Sequence, residues 1–382
     1  MKVTGLETTI VNVPFKGEGA GSGRAGTTEV IVKLTADNGL VGWGESPGQL
    51  SSAAAIEATV RHIAPLIVGR DPWDREAIAR SIFRQGTTYR WTQMANFAFA
   101  GIDYALWDLC GKDCGQPVHR LLGGAVRDAV DHCFHLVQAP PDDIARQCEV
   151  GRARGHRVFY MPCARHPAPV EAEMVEAIRK TIGDEGKIRL DANEGWTVNE
   201  AVRNLNDWDS RWRIDFCEAP VPHDRPDGMR EVRARVPCAI SANECLASES
   251  DVLRLVRSRC ADVYCFAPYW VGTLKRFVVL AHLIDLEGLT VAKHTYGELG
   301  IGAAASHHAA LCVPSLADGN QQLATDLADD VLTEPLPIAS GPTWDRIDKP
   351  GLGVEVDADK LGRFHEAYLR DGQYLLPEYR PG

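Results

Sequence analysis

Three short runs in this sequence each end in a side chain that carries oxygen: IRLD at 188–191, DFCE at 215–218 and AISAN at 239–243. Asp191, Glu218 and Asn243 follow one another at roughly 25-residue intervals, about one strand plus one helix. In a parallel barrel such strand ends share one rim, so three donors on consecutive strands converge on a common centre. Two carboxylates and an amide, with no His or Cys among them, make a hard oxygen set that suits Mg²⁺. An isolated acid at a strand end is more often a helix cap or a loop ion pair; three in register favour the metal.

The elements that must carry these groups are legible in the hydrophobic pattern. Residues 1–45 alternate as antiparallel strands: TGLETTIVNVPF, TTEVIVKLTA and LVGWGE, with an Asn38-Gly39 turn before the last. Between the first two lies FKGEGAGSGRAG, residues 15–26, whose five glycines read as a flap or a plain surface loop. Helical spacing runs from about Ser52 to Leu122, with no strand between the helices. This half is therefore α+β.

From about residue 130 a short apolar strand followed by an amphipathic helix recurs. The strand candidates lie near 130–137, 157–162, 188–191, 215–218, 239–243, 262–267, 290–294 and 315–320. Eight such units imply a closed parallel barrel, an α/β architecture of the TIM type. A doubly wound sheet is the alternative, but the phosphate-binding glycine turn is missing after its first strand. The expected organisation is a capping domain over 1–125, a barrel over 126–350 and a segment over 351–382 that completes the cap.

Bulk properties narrow the function. Hydrophobic residues are 45% and charged residues 24% of the chain, close to globular averages. A net charge of −11 argues against nucleic-acid or anionic-membrane surfaces, which need clustered Lys and Arg. It leaves room for a small carboxylate substrate, because a divalent cation reverses the local field. The eleven cysteines are odd in number and scattered, and Cys110 and Cys114 have no second pair, so reduced thiols and a cytoplasmic location are expected. No signal-peptide core and no long apolar run is present. His132 and His135, three apart on one strand, face opposite sides and read as packing.

The motifs LVGWGE, GIDYALWDLCGK, LLGG, DANEGW, CEAP and SANE, in this order, resemble those of the enolase superfamily, within it the mandelate racemase and muconate lactonizing branch. The resemblance spans nearly the whole chain. It implies a modified TIM barrel, (β/α)7β, under an N-terminal cap, and a homo-oligomer. It also implies that Asp191, Glu218 and Asn243 are Mg²⁺ ligands. Asparagine in third place looks like the glucarate dehydratase pattern, and Asn193 matches a position that binds the substrate carboxylate.

Such a site lowers the cost of removing the proton beside a carboxylate, because the metal offsets the second negative charge as an enediolate forms. Return of the proton on the other face gives racemisation; loss of a β-hydroxyl gives dehydration. Relatives often carry Lys-x-Lys at the end of strand two, where this chain has Tyr160 and Pro162. Where relatives often have Asp or Lys at the end of strand six, this chain has Ala267. What survives is His294 at the end of strand seven, whose usual pKa of about 6.5 suits proton transfer. Its orienting partner is expected to be Glu298 or Asn320. Tyr160 is the candidate on the opposite face, as an acid or as a packing ring. Arg24 and Lys16 on the flap are candidates for the far end of a dicarboxylate. The expectation is a Mg²⁺-dependent dehydratase of an acid sugar, with His294 as principal acid/base. A racemase, epimerase or cycloisomerase, or a binding protein that has lost catalysis, are the rivals.

Overall fold

The structure is a computed structural model that describes residues 1–16, 24–85, 93–224, 226–336 and 341–374. Most of the glycine-rich flap, residues 17–23, lies outside the described residues. Strands β1 (Val3–Pro14), β2 (Gly26–Ala36) and β3 (Val41–Ser46) form an antiparallel sheet in that order. Gly39 closes the β2–β3 turn at φ +83°, a conformation that favours glycine after asparagine.

The helix Gln93–Cys114 lies directly on β3. A Cβ on Gly44 would collide with the Gly101 carbonyl, so the glycines of GWGE and AGID permit backbone-to-backbone approach. The buried Asp108 of that helix accepts from Trp43 N (2.9 Å), Leu352 N (2.8 Å) and Lys112 Nζ (2.8 Å). Glu45, at the end of β3, reaches across to helix Gly300–Ala310. It accepts from Leu299 N at 2.9 Å and Gly302 N at 2.7 Å, donors that the first helical turn leaves unpaired.

The second half begins with β4 (Ala129–Asp131) and β5 (Phe134–His135). It continues with β6 (Val158–Pro162), β7 (Lys187–Asp191), β8 (Ile214–Glu218), β9 (Ala239–Ala242), β10 (Val263–Phe266) and β11 (Thr290–Lys293), and β12 (Thr343–Asp345) follows. Strands β5 to β11 make a curled parallel sheet of seven in sequence order. The intervening helices bury one stripe each. Helix Val198–Trp212, started by a Thr197/Glu200 capping box, buries Ala201, Leu205, Trp208 and Trp212.

Two details depart from the expected eight strands. The run at 130–137 is divided: β4 pairs antiparallel with β12, and the parallel sheet starts only at Phe134. Residues 315–321 form bridges rather than a regular strand. Even so, Ala317 N donates to Val291 O (2.8 Å) and Gln321 N to Lys293 O (2.9 Å), while Asn320 N donates to Asp131 O (2.7 Å) and Cys133 N to Asn320 O (2.9 Å). The segment thus touches both edges of the parallel sheet. The helix Ala358–Asp371 returns to β1, where His365 Nδ1 meets Ile10 O at 2.7 Å. All eleven cysteines are free, and no described helix is long and apolar enough to cross a membrane.

Candidate active site

Register brings the three expected donors together. Asp191 and Glu218 are Cα partners at the ends of β7 and β8, and Glu218 pairs with Ser241 of β9, two residues before Asn243. All three are buried. The loops that leave these strands hold non-glycine residues in left-handed backbone: Ala164 (φ +63°) after β6, Asn193 (+40°) and Glu194 (+65°) after β7, and Ala219 (+42°) after β8. Such conformations cost of order 1–3 kcal/mol each and gather where a site constrains the chain.

The first donor is held by its neighbours. Tyr160 Oη donates to Asp191 Oδ2 at 2.6 Å, Asn193 N to Oδ1 at 2.9 Å, and Asn193 Nδ2 to Oδ2 at 2.7 Å. Arg165 Nη2 in turn donates to Asn193 Oδ1 at 3.2 Å. Glu218 receives Gln321 Nε2 on both oxygens, at 3.3 and 3.0 Å. Asn243 Nδ2 donates to Cys265 O at 2.8 Å, which fixes the amide so that Oδ1 accepts nothing among the described residues.

The carboxylates here repel one another. Burial pushes the Glu218 carboxyl well up, and Asp191 and Glu244 push it further. Burial also raises Asp191, against the hydrogen bonds from Tyr160 and Asn193. Glu244, directly after Asn243, is pushed up to about 8 by burial and by Asp191, and its buried Oε2 has no partner among the described residues. A divalent cation would relieve all three, and the Asp191, Glu218 and Asn243 oxygens are of the hard type that holds Mg²⁺. Among the described residues no group of three or more His, Cys, Asp or Glu is arranged for a metal; the set here has two carboxylates and an amide. The donors fit the ion by chemistry and charge.

A cavity of about 400 Å³ opens over this rim, lined by Asp191, Asn193, Tyr160, His294, His135, Arg24 and Arg165 among others. His294 is there as expected, but its partners are different. Tyr269 Oη lies 2.6 Å from Nδ1, and Trp270 Nε1 donates to Nδ1 at 3.3 Å. Glu298 instead pairs with Lys293 Nζ at 2.9 Å and with Thr295, and Asn320 Oδ1 accepts from Lys293 N at 2.8 Å. Neither orients the imidazole. Nor does His294 keep its ordinary pKa: burial lowers it to about 3, helped by Lys293, His135 and Arg24. The ring is neutral at pH 7.

Burial, with Asp191 and Glu218, holds the Tyr160 phenol protonated, its pKa well above the usual value. Arg24 is buried, donates to Tyr296 O at 2.8 Å and lines the cavity. Lys16 does not: its Nζ turns to Thr325 O at 2.9 Å, and it lines other cavities. Sequence reasoning passed over Gln321, Glu244, Arg165, Tyr269 and Trp270. Only Glu244 had a signal, its place beside Asn243. His135 was set aside on strand spacing, yet it faces the cavity.

With the geometry in place, comparison with known proteins gives the class. Residues 7–123 match the mandelate racemase/muconate lactonizing enzyme N-terminal domain, and residues 143–360 match the enolase C-terminal domain-like family. The chain belongs to the mandelate racemase/muconate lactonizing enzyme family of the enolase superfamily.

Its relatives are enzymes of several activities. Muconate cycloisomerase 1 of Rhodococcus opacus is 28% identical over 94% of this chain and 98% of its own. A D-galactonate dehydratase family member of Catenulispora acidiphila is 28% identical over 88% and 84%. The crystal structure of an enolase from Thermobispora bispora complexed with magnesium and formate superposes with a TM-score of 0.88, at 27% identity over 97% and 94% of the two chains.

Proposed function

We propose that this protein is a Mg²⁺-dependent hydro-lyase that takes the proton α to the carboxylate of an acid sugar and expels a β-hydroxyl. The observation that carries the reading is the rim itself: mutually repelling buried carboxylates beside an amide whose oxygen accepts nothing among the described residues, with Asp191 of that group lining the same cavity as His294. Asp191, Glu218 and Asn243 would hold the cation. When bound, it supplies the positive charge that offsets the charge left on the carboxylate as the α-proton departs.

The chain's own residues do the rest. His294 handles a proton or hydrogen bond on one face and Tyr160 on the other, while Asn193 and Arg24 meet substrate oxygens. Arg24 and Arg165 line the same cavity, which suits a second anionic group on the substrate. The reading also takes the seven strands and residues 315–321 as a (β/α)7β barrel under a cap, and the protein as a cytoplasmic homo-oligomer.

Epimerase or cycloisomerase chemistry on the same site is the second reading. It is favoured by His135, which brings another imidazole to the cavity. The test is a panel of mono- and dicarboxylic acid sugars and muconate incubated with protein and Mg²⁺ in D₂O and read by mass spectrometry. Loss of water supports the hydro-lyase. Deuterium uptake without loss, or an isomer of changed retention, moves the assignment to the second reading, and inertness across the panel overturns both.

A further inference from the structure

The group that orients His294 has no counterpart in the sequence expectation, and its chemistry is unlike a carboxylate's. Tyr269 and Trp270 sit on the short helix Pro268–Val271, straight after β10 and the Ala267 position. Both are nearly inaccessible to solvent. The cap fixes them from outside: Phe97 packs edge-on against both rings, and Asn96 Nδ2 donates to Trp270 O at 2.7 Å. Tyr269 also stands edge-on to Tyr296, with centroids 4.6 Å apart.

An indole N–H only donates, so the Nδ1 it meets must present a lone pair. The Tyr269 phenol agrees, since burial first and Glu298 next push its pKa well up and keep its proton on oxygen. A neutral imidazole with Nδ1 bare carries its hydrogen on Nε2. That nitrogen has no partner among the described residues, and His294 lines the cavity.

We infer that Tyr269 and Trp270 are positioning residues that lock His294 as the Nε2–H tautomer, so that it enters the reaction as a hydrogen-bond donor to a substrate oxygen and leaves His135, the other imidazole on the cavity, to receive the α-proton. The lone pair that a base needs is turned away from the cavity and occupied twice. Where a carboxylate in their place would stabilise an imidazolium, two neutral donors disfavour it. A neutral imidazole N–H still stabilises a developing oxyanion. The inference rests on the proposed reading only for which oxygen is served; the tautomer does not depend on it.

The test needs no substrate. Full-length protein with ¹⁵N in its histidine rings is read at pH 7 by long-range proton–nitrogen correlation, the His294 signals being those lost in His294→Gln. The expected result is an unprotonated Nδ1 and a hydrogen on Nε2. Trp270→Phe and Tyr269→Phe should each shift the Nδ1 signal toward the protonated range. A wild-type ring protonated on Nδ1 overturns the inference, and so does a tautomer unmoved in both variants. If Trp270→Phe fails to fold, the wild-type spectrum and Tyr269→Phe decide. A hydro-lyase panel that fails beside the expected spectrum would refute the reaction and leave the tautomer standing.

Discussion

Arg189 and Asp191 lie two residues apart on β7, point to the same side of the strand and are both buried. Arg189 has every arm engaged: Nε donates to Asp215 Oδ2 (2.7 Å), one terminal nitrogen to Gly319 O (2.7 Å) and the other to Asp318 Oδ1 (2.9 Å). Its guanidinium also covers the Phe216 ring, 4.4 Å from the centroid. One turn of the strand away, Asp191 is itself raised by burial and raises the pKa of Glu218 and of Glu244, whose Oε2 has no partner among the described residues. Buried charge is tolerable when compensated. The lower layer balances its charges as folded, whereas the upper layer meets its carboxylates mainly with the neutral donors Tyr160, Asn193 and Gln321.

That contrast predicts opposite outcomes for mutation. Asp191→Asn is expected to abolish Mg²⁺ binding in calorimetry and lower turnover roughly a thousandfold, worth about 4 kcal/mol of barrier. Its urea midpoint in EDTA should hold or rise, because a buried acid has been neutralised. Arg189→Met should do the reverse, costing about 3 kcal/mol in urea unfolding, since it leaves Asp215 and Asp318 with Lys187 as their one remaining ion-pair partner among the described residues. The low end of the usual range applies because both partners keep contact with water. A loss of stability in Asp191→Asn equal to that in Arg189→Met would erase the distinction.

Acid separates the layers further. His294 and His135 each have a folded pKa lowered to about 3, mainly by burial, so between pH 6.5 and about 3 the unfolded chain binds protons that the native one refuses. Stability therefore falls as pH drops through that window, by about 1.4 kcal/mol per unit per proton at most. His135→Gln should flatten this slope in denaturation titrations from pH 7 to 4. Asp318 behaves differently: burial raises it, but Lys187 and Arg189 outweigh burial and leave it lowered. Its contribution is intact above 3.8 and is lost only below, so Asp318→Asn should leave the slope between pH 7 and 4 unchanged. The smallest effect is expected from Tyr160→Phe. Removing the donor to Asp191 while Asn193 still holds both oxygens should cost about tenfold in kcat/KM, or ~1.4 kcal/mol. A loss as large as that of Asp191→Asn would make Tyr160 a reacting group.

The upper layer was readable because its three donors obey the strand-helix interval, and the strand ends at 191, 218, 242 and 293 lie within a residue of expectation. The lower layer was not, since Arg189, Asp215 and Asp318 look like ordinary charged residues until the sheet curls and brings them together. The same holds for His294. Periodicity located the residue, but its partners come from the loop after the preceding strand, and no local rule couples a Tyr-Trp pair to a histidine some 25 residues on. The expected strand at 315–320 forms only bridges, because a short apolar stretch in the repeat does not report how many ladder bonds form.

Glu45 carries a consequence for how the chain is made. Its carboxylate receives Leu299 and Gly302 amides that lie 254 and 257 residues downstream. During synthesis from the N-terminus the first sheet therefore waits, with an acid at its edge and no donors, until three-quarters of the polypeptide has emerged. Contacts of such separation are paid for late and slow the search. The two halves that look autonomous in primary structure are therefore joined by bonds that close only once both have been made.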